Sequence, residues 1–330
     1  MNSAKSQLAT KMSPPLTSIL INNYNYARFL PEAIDSALGQ DYPVKEVLVV
    51  DDGSTDNSRE IISGYGDRIV PIFKENGGQS SAFNAGVAAS RGDILCFLDA
   101  DDFFTPDKVS RVVEVFRQQN LNSKPMMVHH LLAVKRNGDM QARTYGKTHY
   151  SPMNLYAFAQ RYRFVWYEAG PTTTISINRN LAKKIFPLPE QGVRISGDDF
   201  IVCGASLLAE VYSLKDVLGG YRIHGQNLWF RSNRCKSPEF LRTLENYLND
   251  KLIENGLSPV ICFDNSIYAW PILVAERRWL KLACHMLRLS VKQHDRYTAQ
   301  FVYHTVITIG MLAMKSLRSG TRRLRCALDR

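Results

Sequence analysis

The run Ile94-Leu95-Cys96-Phe97-Leu98 stops abruptly on Asp99-Ala100-Asp101-Asp102. Large apolar residues in unbroken succession, ended by carboxylates, read as a strand covered on both faces. Thr105-Pro106 then offers a helix start, with Thr105 as cap and Pro106 at the first helical position. Val109, Val112, Val113 and Phe116 give that helix one apolar face. Asp99 and Asp101 are therefore expected at the carboxyl end of a buried strand, where open α/β sheets place their ligands. Carboxylates packed this closely repel one another unless a cation or donor groups lie between them. Alone, an Asp-x-Asp is more often an acidic turn than a site.

The same pattern recurs upstream. Thr17-Ser18-Ile19-Leu20-Ile21 ends in Asn22-Asn23-Tyr24-Asn25, and Val47-Leu48-Val49-Val50 ends in Asp51-Asp52-Gly53-Ser54-Thr55-Asp56. Ile69 to Phe73 is a third strand candidate. Helices are expected from Pro31 to a stop at Gly39, through Ile61-Ile62, and after Gly77-Gly78, where Phe83 and Val87 share a face. Such alternation predicts a mostly parallel sheet with right-handed crossovers. Farther on, Met126 to Leu132 and Thr172 to Ile177 read as strands, and Asn178 caps a short helix through Ile185. Ser196-Gly197-Asp198-Asp199 precedes a patterned helix (Phe200, Cys203, Leu207, Val211). Residues 1–16 read as a loose arm, 17–235 as one α/β domain with halves meeting near 120, and 236–330 as a helical region.

The net charge of +10 over 330 residues implies an anionic partner: a nucleotide, a nucleic acid or an acidic membrane surface. No aromatic-basic interleaving or nucleic-acid module appears, which argues against nucleic acid. The six cysteines form no Cys-x-x-Cys pair, and the first sixteen residues lack a secretory pattern. Free thiols in a reducing cytoplasm are the simple expectation. Phe301 to Leu317 is a poor spanning helix, but Lys315, Arg318, Arg322, Arg323 and Arg325 cluster at its end. They suit peripheral attachment to the anionic inner face of the plasma membrane, or simply a solvated helix end.

In a parallel sheet the three polar strand ends line one crevice. There Tyr24 can cover a base face, Asp52 can accept from a base N–H or ribose hydroxyl, and Asp101 can hold Mg²⁺ or Mn²⁺. Together these are the requirements of a nucleoside diphosphate.

The stretch from Ser18 to Phe104 resembles glycosyltransferase family 2. The resemblance rests on Asn23-Tyr24-Asn25, Val49 to Asp56, Asn76-Gly77-Gly78, Asn84-Ala85-Gly86 and Phe97 to Asp102, in order and at family spacing. It implies the Rossmann-like GT-A fold, a mixed, mostly parallel sheet flanked by helices, and transfer with inversion at the sugar. It further implies base contacts from Asn22 and Tyr24, base reading by Asp52, and a donor pocket along Asn76, Gly78 and Asn84. By the same likeness Asp99 is the ribose-side carboxylate and Asp101 the metal ligand. Phe83 departs from the pattern, since an arginine often stands there. Asp198-Asp199 resembles the acidic pair supplying the general base, with Asp199 favoured; a capping box from Ser196 to Asp199 explains the same residues without chemistry. Tyr221-Arg222-Ile223-His224 resembles the segment whose histidine returns to the metal or diphosphate, Arg222 serving the diphosphate or merely pairing. Trp166, Tyr167, Thr172 and Thr173 lie where the family builds its acceptor side, although aromatics equally fill cores.

The resemblance implies a metal-dependent transferase moving one sugar from a nucleoside diphosphate sugar to a saccharide or lipid-linked saccharide. UDP is the commonest donor nucleotide of the family, and cell-surface polysaccharide assembly the expected setting. Ala275 stands where the Gln-x-x-Arg-Trp of processive synthases would begin, ahead of Arg278-Trp279, so a single transfer is expected. A donor-binding relative without activity is the main alternative. A Mg²⁺-binding receiver domain leaves the first strand-helix unit and the later motifs unexplained.

Overall fold

The computed structural model describes residues 13–136, 138–148, 152–165, 167, 169–225, 227 and 237–263. A nine-stranded sheet organises them. Strands β1 (Thr17–Asn23), β2 (Lys45–Asp52), β3 (Val70–Lys74) and β4 (Ile94–Asp99) are mutually parallel in the order β3-β2-β1-β4. Helices α1 (Leu30–Leu38), α2 (Ser58–Gly64) and α3 (Gln79–Ala89) make the crossovers. Gly39 ends α1 and Pro31 lies in its first turn, as expected. The second half of the sheet is mixed. It holds β5 (Phe103–Phe104), β6 (Met126–Arg136), β7 (Asp139–Tyr145), β8 (Ser176–Asn178) and β9 (Glu210–Ile223), with β8 antiparallel to β4 and β6.

The two-residue period of a strand sorts the side chains. Ile19, Ile21, Val47, Val49, Cys96 and Leu98 face one way and join Ile34, Val112 and Phe116 in a buried core beneath α1 and α4 (Lys108–Gln118). Truncating Phe116 there would cost about 3–5 kcal/mol. Leu20 and Val50 face the other way and meet α3, where a Cβ on Gly86 would lie 3.2 Å from Val50. Extending each strand by two residues carries that second face to Asn22 and Asp52, with Asp99 in register beside Asn22. Strand parity thus selects Asp52, not Asp51, for the site face. Asp51 instead accepts from Asn23 and Arg59 on the opposite side.

Three local expectations are corrected. Helix α4 begins at Lys108 behind Asp107, with Thr105 and Pro106 outside it. The Thr105 amide donates to Leu218 next to the β5–β9 pairing, which keeps the chain extended, and its hydroxyl bonds Asp107. Thr172–Thr174 form a 3-10 turn and only Ser176–Asn178 is strand. Here the threonine side chains bond within the turn and to Asp102, outcompeting a ladder. Finally, Ser196 does not cap α7 (Gly197–Leu208): it is left-handed (φ 65°) and makes no side-chain cap. Asn178 does cap α6 (Arg179–Ile185), accepting from the Leu181 amide.

One compact unit takes residues 1–161 and 165–261; the other takes 162–164 and 262–330. The expected boundary near 235 falls inside the first. There α8 (Pro238–Glu254) places Phe240 and Tyr247 edge-on against Phe200, and the Tyr247 hydroxyl donates to the Ile185 carbonyl. In the second unit the Cys262 amide donates to the Arg163 carbonyl. The basic tail and Arg278-Trp279 lie outside the described residues. Among those described, no helix is long and apolar enough to cross a membrane. Cys96 is a buried free thiol.

Candidate active site

A cavity of about 790 Å³ opens above the carboxyl ends of β1, β2 and β4. Asn22, Tyr24, Asp52, Asn76, Gly78, Asp99 and Asp101 line it on one side, and Tyr167, Thr172, Asp198 and Asp199 on the other. The Asn22 amide is buried at the floor with no hydrogen-bond partner on either atom. A buried, unsatisfied amide is costly, and a polar ligand in the cavity would relieve it. Tyr24 is 41% exposed, a ring available at the mouth.

Asp52 is busier than expected. One carboxylate oxygen accepts from Lys74 Nζ (2.7 Å) and the Gly77 amide (3.0 Å), the other from Asn76 Nδ2 (3.2 Å) and the Gly78 amide (2.7 Å). Four donors fill its acceptor sites, so the carboxylate folds the 74–78 loop and meets a base only by exchanging a donor. Gly78 has φ +87°, and a Cβ there would lie 2.8 Å from the Val193 carbonyl oxygen; only glycine fits. Asn84 does not reach the cavity wall. It exchanges hydrogen bonds with the Leu188 backbone and donates to Glu190, tying α3 to the segment that leads into α7.

The acidic cluster follows. Carboxylate oxygens of Asp99, Asp101 and Asp102 lie within 4.8 Å of one another. Asp102 is committed: one oxygen accepts from the Thr173 hydroxyl (2.6 Å), the other from the Arg222 amide (2.9 Å). Asp101 Oδ2 meets His224 Nε2 at 2.9 Å and accepts from Asn227 Nδ2 at 3.3 Å. The His224 ring is held between Phe29 (centroids 4.4 Å apart) and Tyr26 (5.6 Å, edge-on). Burial, then the charges of Asp101, Asp102 and Asp198, push the Asp99 carboxyl well above the usual range.

Two predicted contacts move elsewhere. The Arg222 guanidinium lies over Phe29 and Phe103, pairs with Glu32 at 2.6 Å and donates to the Asp101 carbonyl at 2.9 Å. It buttresses the acidic cluster from behind and does not line the cavity. Thr173 is fully buried against Asp102 and is likewise absent from the wall. Tyr167 does reach the cavity, its hydroxyl 2.5 Å from His129 Nε2. Trp166 lies outside the described residues.

Asp198 and Asp199 occupy the first turn of α7, at the positive end of the helix dipole. The first amide of that helix, Gly197, donates to Gln79 Oε1 (2.9 Å), and Gln79 Nε2 donates to Thr172 Oγ1 (3.3 Å). Gln79 thus links the acidic pair to the turn beside Asp99.

A family model described as "Glycosyl transferase family 2" matches residues 18–186. An uncharacterized glycosyltransferase of Nostoc sp. is 36% identical over 251 residues, 72% of this chain and 76% of that relative. The chain belongs to glycosyltransferase family 2. Solved structures share the fold of this family 2 transferase. S. aureus TarS in complex with UDP has a TM-score of 0.53 at 18% identity, over 72% of this chain and 65% of that one. A Pyrobaculum calidifontis mannosyltransferase in complex with GDP-Man and Mn²⁺ has a TM-score of 0.50 at 17% identity, over 90% and 81%.

Sequence reasoning overlooked several groups of the transferase's cavity. Gln79, Arg194, Tyr145 and Tyr221 all line it, and Tyr145 stacks on Tyr221 at 4.8 Å. Gln79, Arg194 and Tyr145 stand in no motif and arrive through tertiary packing, whereas Tyr221 opens the Tyr221-Arg222-Ile223-His224 segment read above. Asp102 had a signal, being the third carboxylate of the run. Asn227 was not missed: it belongs with the Tyr221–His224 segment in the family likeness, and its Oδ1 accepts from the His224 amide (2.9 Å).

Proposed function

We propose that this family 2 transferase is metal-dependent and inverting. It moves one sugar from a nucleoside diphosphate sugar, with UDP as nucleotide, to a hydroxyl of a saccharide or lipid-linked saccharide in cell-surface polysaccharide assembly. The observation that carries this reading is the convergence of Asp99, Asp101 and Asp198-Asp199 on the one cavity that also holds Asn22, Tyr24 and Asp52. Relatives of the fold hold UDP, and GDP-Man with Mn²⁺.

The donor set suits a hard divalent cation. Asp101 Oδ2 and His224 Nε2 are 2.9 Å apart, about the separation of neighbouring ligands around an octahedral ion with bonds near 2.1 Å. Asp101 and His224 would hold the ion, with Asp99 beside it and Asp102 as their brace. Bound there, Mg²⁺ or Mn²⁺ supplies Lewis-acid neutralisation of the charge that grows on the departing diphosphate. The chain's own residues do the rest. Tyr24 and Asn22 hold the nucleoside, and Asp52 sets the loop against which it rests. Asp199 takes the acceptor hydroxyl's proton as the oxygen bonds the anomeric carbon and the diphosphate oxygen leaves. Asp198, nearer Asp99 electrostatically, orients the sugar. The C-terminal segment is proposed to rest on the anionic cytoplasmic leaflet.

The test pairs two variants. Asp101→Ala abolishes both sugar transfer and Mn²⁺-dependent stabilisation by UDP in thermal melts. Asp199→Asn keeps that stabilisation but loses transfer by about a thousandfold, the middle of the range of general-base contributions. Normal transfer by the Asn variant removes Asp199 from the role. UDP stabilisation of the wild type without hydrolysis or transfer in a mixed acceptor pool would favour an inactive donor-binding protein.

A further inference from the structure

The cavity has a basic stretch of wall that the proposed reaction leaves unassigned. Arg143, Tyr145 and Lys147 alternate along the end of β7 and the residues just after it, and all line the cavity. Gly146 between them has φ +108°, a bend that ends the strand. The three are therefore set by a ladder on one side and a glycine turn on the other, since β7 pairs β6 with Leu132 opposite Tyr145. The Tyr145 ring stacks on Tyr221 with planes 10° apart, a flat aromatic support between two cations.

This wall is far from the nucleoside side. Strand β7 pairs only β6, and β8, β4 and β1 intervene in the sheet before β2, whose end bears Asp52. The acidic cluster and His224 account for a diphosphate, so these cations are not needed there. Among the described residues the Arg143 guanidinium has no ion pair or hydrogen bond of its own.

We propose that the acceptor of this transferase is anionic. Arg143 and Lys147 take a carboxylate or phosphate group carried by the acceptor saccharide, whose ring packs against Tyr145 and Tyr221. The proposal rests on the transferase reading above and adds the acceptor's chemical class. A guanidinium and an ammonium flanking an aromatic face suit an acidic sugar, the charge being held by charge-assisted hydrogen bonds and the ring by stacking.

The test measures binding by calorimetry to the full chain loaded with UDP and Mn²⁺. Methyl glucuronide is compared with methyl glucoside, and glucose 6-phosphate with glucose. At least one anionic probe is expected to bind about tenfold or more tightly than its neutral partner, the scale of one charged hydrogen bond. The Arg143→Gln/Lys147→Gln double variant, checked for an unchanged melting temperature, is expected to erase that preference while UDP–Mn²⁺ affinity stays within about twofold. Equal or undetectable binding of both members in both pairs overturns the proposal, as does a preference that survives in the double variant. UDP-glucuronate and UDP-glucose form a further arm: a loss confined to UDP-glucuronate in the double variant places the anion on the donor and overturns the acceptor assignment. Failure of the wild type to bind UDP with Mn²⁺ defeats the transferase reading itself, a result distinct from any of these.

Discussion

The two sides of the cavity are built by different means. On the β1–β2–β4 side, backbone regularity does the positioning: parallel register and strand parity put Asn22, Asp52 and Asp99 on one face. On the α7 side no ladder runs beneath Asp198 and Asp199. They are placed by side-chain clamps from α3 and the loop before it, namely Asn84 and Ser81 on Glu190, Asn84 on Leu188, Asn76 on Arg194 and Gln79 on Gly197. A periodic scaffold tolerates local change, whereas a clamp fails at the residue removed. The first side should therefore lose binding when damaged, and the second should lose turnover.

The largest effect at neutral pH is expected at the junction of the two sides. Asp52→Ala removes the acceptor of the Gly77 and Gly78 amides and one of two acceptors from Lys74 and Asn76, which keep the Glu75 and Asp52 carbonyls. Stranding the buried Gly78 amide and losing the charge-assisted bonds around it costs about 3 kcal/mol. Chemical denaturation should show that loss, and UDP affinity should fall with it because the 74–78 loop is released. A variant that kept both stability and UDP affinity would show that the loop is held by other contacts.

His130 breaks the comparison in another direction, because it lies behind the sheet chemistry of both sides. It is fully buried in β6, and its Nδ1 donates to the Leu131 carbonyl. Burial, followed by the nearby Lys108 ammonium, brings its pKa down to about 3. A folded-state pKa below the unfolded value near 6.5 means the unfolded chain binds the proton first. Stability is then complete above pH 6.5 and declines as pH falls toward 3, by up to about 5 kcal/mol. Denaturation midpoints of the wild type should drop between pH 6.5 and 4, and those of His130→Leu should drop much less. Parallel pH profiles would remove His130 as the cause.

Gln79→Ala isolates the clamp. It removes the acceptor of the Gly197 amide and the donor to Thr172 but touches no strand. A stability loss of about 1 kcal/mol is expected. Turnover should fall about tenfold to a hundredfold with little change in the KM for donor, as expected when positioning is loosened. A rise in KM at constant kcat would put Gln79 on the donor side instead.

This division also explains what could be read in the chain. The strand-end motifs carry their geometry locally, so β1 to β4, the crossover helices and the residues of the first side were legible from apolar runs and their polar terminators. Arg222 was misplaced because Tyr221 beside it does line the cavity, and both Arg222 and Asn84 are claimed by partners far away in sequence, Glu32 and Glu190. The 3-10 turn at Thr172–Thr174 was missed because β-branched residues favour strands, and nothing local announced that Asp102 would claim Thr173. Strand β9 went unread over Glu210 to Gly220 because its pairing with β6 shifts register twice, which blurs its alternation.

The smallest effect tests whether the clamp responds to pH. Hydrogen bonds from Asn84 and Ser81 hold the Glu190 carboxyl below its usual range. A depressed carboxylate contributes its stabilisation above the unfolded value and loses it as pH falls through the folded one. Glu190 is exposed, so solvent screening keeps the contribution to a few tenths of a kcal/mol. Amide hydrogen exchange is the suitable probe, because it resolves local opening that global unfolding hides. Protection of residues 188–196 should weaken below about pH 4 in the wild type and be weak at all pH values in Glu190→Gln. The amides of β1 and β2 should exchange alike in both proteins. If the β1 and β2 amides loosened together with the 188–196 segment, the two sides would form one cooperative unit, and the contrast between ladder and clamp would not extend to their dynamics.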